Sequence, residues 1–270
     1  MRNLFDISGK TAVITGGSGV LGNAMTRYLA AQGVRTAVLA RNETKGNALV
    51  SEIRAEGGEA MFLRTDVTDR EILERNCRDI LSAYGKIDML INCAGGNMPG
   101  ATVPPEKTIF DLNIEDFREV VDLNLFGTVI PTLVFAGAMR NSGGGPIVNM
   151  SSESALRPLT RVAGYGAAKA AVTNFTRYLA SELAQKFGDC FRVNAMAPGF
   201  FLTEQNRTLM TNPDGSRSAR AESILAHTPF GRFGEPEELL GTLHYLVSDA
   251  SRFVTGTVIV VDGGFDAFSI

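Results

Sequence analysis

The sequence predicts an α/β domain: a doubly wound, seven-stranded parallel sheet with helices on both faces. Three observations carry this. Short apolar, β-branched runs alternate with helical patterns along the chain, the signature of strands joined by helical crossovers. The first such run opens directly into a glycine-rich turn and then a helix. No repeat, low-complexity stretch or linker interrupts the alternation, so residues 1–270 read as one domain.

Residues 10–15 form the first strand, a buried apolar run. Gly16-Gly17-Ser18-Gly19-Val20-Leu21-Gly22 follows, then a helical pattern through Met25, Leu29 and Ala30. Gly17, Gly19 and Gly22 satisfy G-x-G-x-x-G between a strand and a helix. Glycines there permit a tight turn and bring the backbone close to a pyrophosphate seated on the helix N-terminus. Gly16, Ser18, Gly19, Val20 and Leu21 are the expected dinucleotide contacts. The second strand, 35–39, ends at Ala40-Arg41-Asn42, with Asn42 as a helix cap. Further strands are expected at 59–63, 89–92, 146–150, 191–195 and 257–261. Helices are expected near 43–56, 69–84, 115–140, 162–187 and 235–248.

Two segments break the rhythm, and both follow the carboxyl ends of strands, where open α/β sheets bind ligands. Residues 93–112 are rich in Gly and Pro, and residues 200–234 form a long insertion with a turn at Asn212-Pro213-Asp214-Gly215. Residues 200–230 are expected to form a substrate lid.

Composition narrows the function. A net charge of −3 with dispersed Lys and Arg argues against nucleic acid and against a polybasic membrane patch. The first residues lack the apolar core of a secretory signal, and no apolar stretch is expected to approach a membrane span of about 20 residues. Cys77, Cys93 and Cys190 lack C-x-x-C spacing and read as reduced thiols of a cytoplasmic protein. His227 and His244 form no ligand-spaced set, so no metal site is expected.

The chemistry is concentrated in Tyr165-Gly-Ala-Ala-Lys169. Residues four apart share a helix face. A lysine so placed favours the phenolate and lowers a tyrosine pKa from its usual value near 10, suiting proton exchange with an alcohol or carbonyl. The end of the second strand bears on the nucleotide. An NAD site usually carries Asp or Glu there, whereas this chain has Ala40, Arg41 and nearby Lys45. The cation suits a 2′-phosphate, so NADP(H) is favoured with NAD(H) possible; a solvated Arg41 is the plainer alternative.

With these pieces in hand, the chain resembles the classical short-chain dehydrogenase/reductase family from Lys10 to Gly264, with a Rossmann-type fold. The matching pieces are Thr15 to Gly22, Asp66-Val67, Asn92-Cys93-Ala94-Gly95, Asn124, Ser151-Ser152, Tyr165 to Lys169, Pro198-Gly199 with Thr203, and Val261-Asp262-Gly263-Gly264. The resemblance implies that Asp66 and Val67 hold the adenine, while Asn92, Ala94 and Gly95 close the cofactor cleft. Pro198, Gly199 and Thr203 would lie beside the nicotinamide and diphosphate. It also implies a catalytic set of Asn124, Ser152, Tyr165 and Lys169. Ser152 would bond the substrate oxygen, Tyr165 act as acid or base, Lys169 tune Tyr165 and bind the ribose, and Asn124 anchor a water. Ser151 faces the other way along the strand and reads as structural. One departure stands out: Val20 occupies the position of the family's second glycine, and no basic residue accompanies it.

Substrate recognition must come from the loops and from the segment between Ser152 and Tyr165. Asn97, Ser154, Arg157, Arg161 and Arg207 are the candidates: arginines suit a carboxylate, and Ser and Asn suit hydroxyls. The stretches 95–102 and 203–207, with His227-Thr228-Pro229, resemble members acting on sugar acids, of the mannonate oxidoreductase type that interconverts D-fructuronate and D-mannonate. Two other readings stay open: a 3-oxoacyl thioester reductase, which would share every catalytic residue, and a dinucleotide-sensing protein without turnover. The resemblance further implies a homotetramer. The apolar C-terminal residues 265–270 could pack on a partner subunit or cover a neighbouring site.

Overall fold

The computed structural model describes residues 2–202 and 210–269. Its centre is β1, Thr11–Thr15, buried along its whole length because helices cover both faces of the sheet. The other strands are β2 (Arg35–Ala40), β3 (Ala60–Arg64), β4 (Met89–Asn92), β5 (Gly145–Met150), β6 (Phe191–Pro198) and β7 (Val258–Val261). They form one sheet in the order β3-β2-β1-β4-β5-β6-β7, and every pairing is parallel. The chain winds outward from β1 to β3, then returns to lay β4 against the other side of β1. That reversal opens a crevice at the strand carboxyl ends.

Period-two alternation divides the core between the faces. Ile14, Ile91, Val148 and Met196 pack on one side beneath helices α1 (Val20–Ala31) and α8 (Leu240–Val247), through Met25, Leu29, Leu243 and Leu246. Val13, Leu90, Ile147 and Val193 face the other side. There they meet α3 (Arg70–Tyr84), α5 (Gly127–Met139) and α6 (Ala163–Phe187) through Leu73, Ile80, Phe135 and Leu179. Helix α2 (Glu43–Ala55) is capped by Asn42, whose side chain accepts from the Lys45 N–H, as its sequence position implies.

The structure corrects three sequence expectations. The helix expected at 115–140 is broken: α4 (Ile114–Val121) passes into a π-helical turn, Asp122–Phe126, before α5 begins. Such turns recur at functional sites, and this one carries Asn124. The combined run Ile114–Ser142 is long and apolar enough to cross a membrane by length and composition, contrary to the expectation that no stretch would be. Here Phe135, Ala136 and Met139 lie in the core under the sheet. Finally, the 200–234 insertion contains helix α7, Ala219–Ala226, which opens where the Ser218 side chain accepts from the Ala221 N–H. Two turns are too short for periodicity to announce a helix, and burial of Ala221, Ile224 and Leu225 holds it in place. The expected turn is present, with the Gly215 N–H donating to the Asn212 carbonyl at 2.9 Å.

Candidate active site

The glycine turn meets β4 at the crevice. Gly16 adopts φ +65°, and a Cβ there would lie 2.8 Å from the Ala94 Cα, so only glycine allows the two segments to touch. A Cβ at Gly22 would fall 2.2 Å from the Gly16 carbonyl oxygen. Thr15 ties the two strands together: its hydroxyl accepts from the N–H groups of Cys93 and Ala94, both at 3.2 Å. Gly19 caps α1 with no side-chain hydrogen bond, and the first turn carries no acidic residue. The helix thus presents uncapped N–H groups and the positive end of its dipole to the crevice, which fits a diphosphate. Ser18, Val20 and Leu21 are partly exposed on this turn.

Around the turn stand the expected adenosine-side residues. Arg41 is exposed just past β2, close enough to Asp66 to help hold that carboxyl below its usual range. The larger cause is hydrogen bonding from the backbone and side chain of Thr68, both to Asp66 Oδ1. Val67 is buried against Gly127, where a Cβ would come within 2.8 Å of it. Asn92 donates to Thr132 Oγ1 and to Asn149 Oδ1, each at 2.9 Å, and so braces β4 against β5. Its buried side chain is bound up in the sheet. Gly199, after Pro198, donates its N–H to Val261 and leaves no room for a Cβ beside Asp262. Thr203 and Arg207 lie outside the described residues.

At the ends of β5 and α6 the structure brings Ser152, Tyr165, Lys169 and Asn124 into one cluster. Lys169 is buried; its Nζ donates to the Met150 carbonyl at 2.8 Å and stands 5.6 Å over the Tyr165 ring centroid. A Cβ at Gly95 would lie 2.6 Å from Asn124 Oδ1 and 3.1 Å from Lys169 Nζ, so amide and ammonium both close on the space that a side chain there would need. Asn124 is fully buried. It exchanges bonds with Gly96, accepting from its N–H at 3.1 Å and donating to its carbonyl at 2.6 Å, and donates again to Val120 at 2.8 Å. It clamps the β4 loop to the π-helical turn. Ser151 bonds Thr173 at 2.6 Å on the buried side, the structural part expected of it.

The electrostatics reverse one expectation. Helical spacing predicts a Tyr165 phenol lowered by Lys169, yet burial pushes it above its ordinary value, and the Ser152 hydrogen bond offsets this only in part. The ammonium stands over the ring and donates to the Met150 carbonyl. Burial also lowers Lys169 to about 8 and raises the adjoining Cys93 thiol to about 11.

Among the substrate candidates, Ser154 turns inward. Its N–H and its hydroxyl both donate to Ser152 Oγ, at 3.2 and 3.0 Å. Asn97 donates to Thr102 Oγ1 at 3.1 Å, and its Oδ1 is buried without a partner. Arg157 is not available to a substrate carboxylate: it pairs with Asp266 Oδ1 at 2.8 Å and also bonds the carbonyls of Asp266 and Phe268. The C-terminal segment therefore folds on its own chain, and Phe265 packs edge-on against Phe200. Arg161 lies just ahead of α6, in a cleft it shares with Phe200 and Phe265. Two residues here went unflagged in the sequence. Arg220 on α7 reaches Thr160, and Glu153 is a buried carboxyl beside Ser152. Glu153 followed the flagged serine directly, but nothing local marked Arg220.

A dinucleotide cradle beside a Tyr–Lys–Ser cluster defines the site class of a nicotinamide-dependent oxidoreductase, and comparison with known proteins agrees. The family described as short chain dehydrogenase matches residues 10–214. An "Uncharacterized oxidoreductase UxuB" of Bacillus subtilis (strain 168) is 46% identical over 273 residues, 98% of this chain and 97% of the relative. A 3-oxoacyl-[acyl-carrier-protein] reductase of Synechocystis sp. is 33% identical, covering 97% of this chain and 99% of the relative. Among solved structures, a "putative D-Mannonate oxidoreductase" from Haemophilus influenza with bound NAD superposes with a TM-score of 0.91 at 40% identity, covering 98% and 97% of the two chains. A gluconate 5-dehydrogenase from Burkholderia cenocepacia J2315, in complex with NADP and tartrate, reaches 0.86 at 29% identity, covering 98% of each. The chain belongs to the short-chain dehydrogenase family.

Proposed function

We propose that this protein reduces a sugar-acid ketone, and oxidises the matching secondary alcohol, with NADP(H) in preference to NAD(H), the substrate being of the fructuronate/mannonate type. The observation that carries the reaction is the convergence of Ser152, Tyr165 and Lys169 at the mouth of the glycine cradle. A nicotinamide held there supplies or takes the hydride. Gly16, Ser18, Gly19, Val20 and Leu21 would hold its diphosphate, Asp66 and Val67 the adenine end, and Ala94, Gly95, Pro198 and Gly199 would line the rest of the cleft. Lys169, fixed by the Met150 carbonyl, binds the ribose and carries the positive charge of the site.

Tyr165 gives its proton to the carbonyl oxygen in reduction and takes one from the alcohol in oxidation. Ser152 donates to the same oxygen as negative charge grows on it. Ser154 assists: with both of its donors aimed at Ser152 Oγ, the Ser152 proton is left to point outward. Asn124 keeps the Gly95-Gly96 backbone against Lys169. The buried, raised phenol of Tyr165 suits the reductive direction, because the acid stays protonated at neutral pH.

The cofactor preference rests on Arg41 at the end of β2, where no carboxylate stands to accept from ribose hydroxyls. The substrate class is supported by the sugar-acid oxidoreductases among similar structures and by Arg161 in the cleft beside Phe200. A cytoplasmic homotetramer is the assembly we propose, supported by exposed Phe126, Leu133 and Tyr178 on α5, α6 and the turn before α5. The test is nicotinamide absorbance with NADPH and NADH against a panel of keto sugar acids that includes fructuronate. Oxidation of NADPH by fructuronate is the expected result. Turnover of 3-oxoacyl thioesters instead, with the sugar acids silent, would defeat the proposal.

A further inference from the structure

Arg161 and Arg220 come from different elements and meet across one cleft of about 370 Å³, lined also by Leu159, Phe200, Ser223 and Phe265. That volume falls within the range of small-molecule sites. Phe200 directly follows Pro198-Gly199 at the end of β6, and Arg161 lies four residues ahead of Tyr165, just before α6, so the cleft is lined from the segments that lead out of β6 and into α6. Arg220 is held from below: Nη1 and Nη2 donate to the hydroxyl and the carbonyl of Thr160, both at 3.1 Å. Its Nε is buried and has no acceptor. Arg161 is the only described non-glycine residue at positive φ, +75°, with its carbonyl fixed by the Val103 N–H at 2.9 Å. Such a backbone is strained for a residue with a side chain, and strain of this kind gathers at ligand clamps.

No carboxylate among the described residues pairs with either guanidinium; nearby Arg157 and Arg217 pair with Asp266 and Glu222. The two like charges weaken each other. Burial first, then the Arg161 charge, lowers Arg220 below its ordinary value. Two cations therefore line one cleft without a carboxylate partner among the described residues, and an anion bound between them would relieve their mutual repulsion.

We infer that Arg161 and Arg220 together form the subsite that takes the substrate's carboxylate, with Arg220 supplied by α7 of the insertion. The inference rests on the sugar-acid reading above. Paired guanidiniums on a carboxylate set the distance from the acid group to the carbon presented to Tyr165, so the subsite selects which hydroxyl or ketone reacts.

Two readouts separate this inference from that reading. Calorimetric titration with tartrate, a hydroxy dicarboxylate, probes the subsite without turnover. Arg220→Gln and Arg161→Gln are each expected to weaken tartrate at least about tenfold while NADPH affinity is kept as evidence of a folded site. Arg161→Gln guards against misfolding, since its side chain makes no hydrogen bond among the described residues. Tartrate affinity unchanged in both variants would overturn the subsite. Fructuronate turnover judges the function alone. A wild-type protein that binds tartrate through both arginines yet reduces no sugar acid would sink the proposed function and leave the subsite standing.

Discussion

Lys169 stands with its ammonium 5.6 Å over the centre of the Tyr165 ring and donates a hydrogen bond of 2.8 Å to the Met150 carbonyl. A cation on the ring face holds the ring in place but does less for the phenolate than one at the hydroxyl. Burial then decides the direction, and the phenol rises. Tyr165 is therefore an acid waiting to be used, and its activation as a base depends on what the cofactor and substrate bring.

The first prediction follows in the pH dependence. With its pKa raised, Tyr165 stays protonated through neutral pH, so ketone reduction should hold steady there and fail only at high pH. Alcohol oxidation, which needs the phenolate, should climb as pH rises. Tyr165→Phe should cut both directions by at least about a hundredfold with NADPH binding nearly intact. Stopped assays from pH 6 to 10 on both proteins check this, and a variant with full activity would remove Tyr165 from the chemistry.

Glu153 gives a stability prediction. Its carboxyl is buried, no donor among the described residues reaches either oxygen, and burial with the charges of Asp266 and Asp262 raises it from 4.5 to about 7. In the unfolded chain it titrates near 4.5, so native stability should fall as pH climbs from there to about 7, with the full cost present above that. Glu153→Gln removes the charge and should stabilise the protein at pH 8 by up to about 3 kcal/mol, with no gain at pH 4. Denaturant melts at the two pH values decide it; an equal effect at both would mean the carboxyl is not buried as a neutral group.

At Gly22, the prediction is steric. A methyl would meet the Gly16 carbonyl at 2.2 Å, so Gly22→Ala must move the turn. Stability should drop by about 1–3 kcal/mol, and NADPH affinity should fall further than the fold alone explains. Fluorescence titration on folded variant protein measures the second effect. Wild-type affinity would show that the cofactor does not use this backbone.

Arg41 tests nucleotide choice. Arg41→Glu places a carboxylate where ribose hydroxyls would be met and repels a 2′-phosphate. The ratio of kcat/KM for NADPH over NADH should fall at least about tenfold. A ratio that does not move would assign the preference to other residues.

Local patterns make most of the architecture legible in the sequence. Strand β4 falls on residues 89–92 as expected, and the other strands differ by a residue or a few at their ends, because alternating burial and breaker residues act over a few positions. The glycine turn and the Tyr165–Lys169 spacing are equally local, and so were visible. The break in the 115–140 helix was not, since the π-helical turn is stabilised by Asn124 bonding to Gly96 on another segment. Nor was α7, whose residues are ordered by what they bury.

What the chain determined by itself is its strand order in sequence, its cradle and the identity of its reactive side chains, all set by residues close together. Only the tertiary structure decided what those side chains face. It gave Arg157 to Asp266, set Arg220 beside Arg161, turned Ser154 onto Ser152 and raised the Tyr165 phenol by burying it. Each of these depends on desolvation or on pairing between segments distant in the chain, and neither quantity exists until the chain has folded.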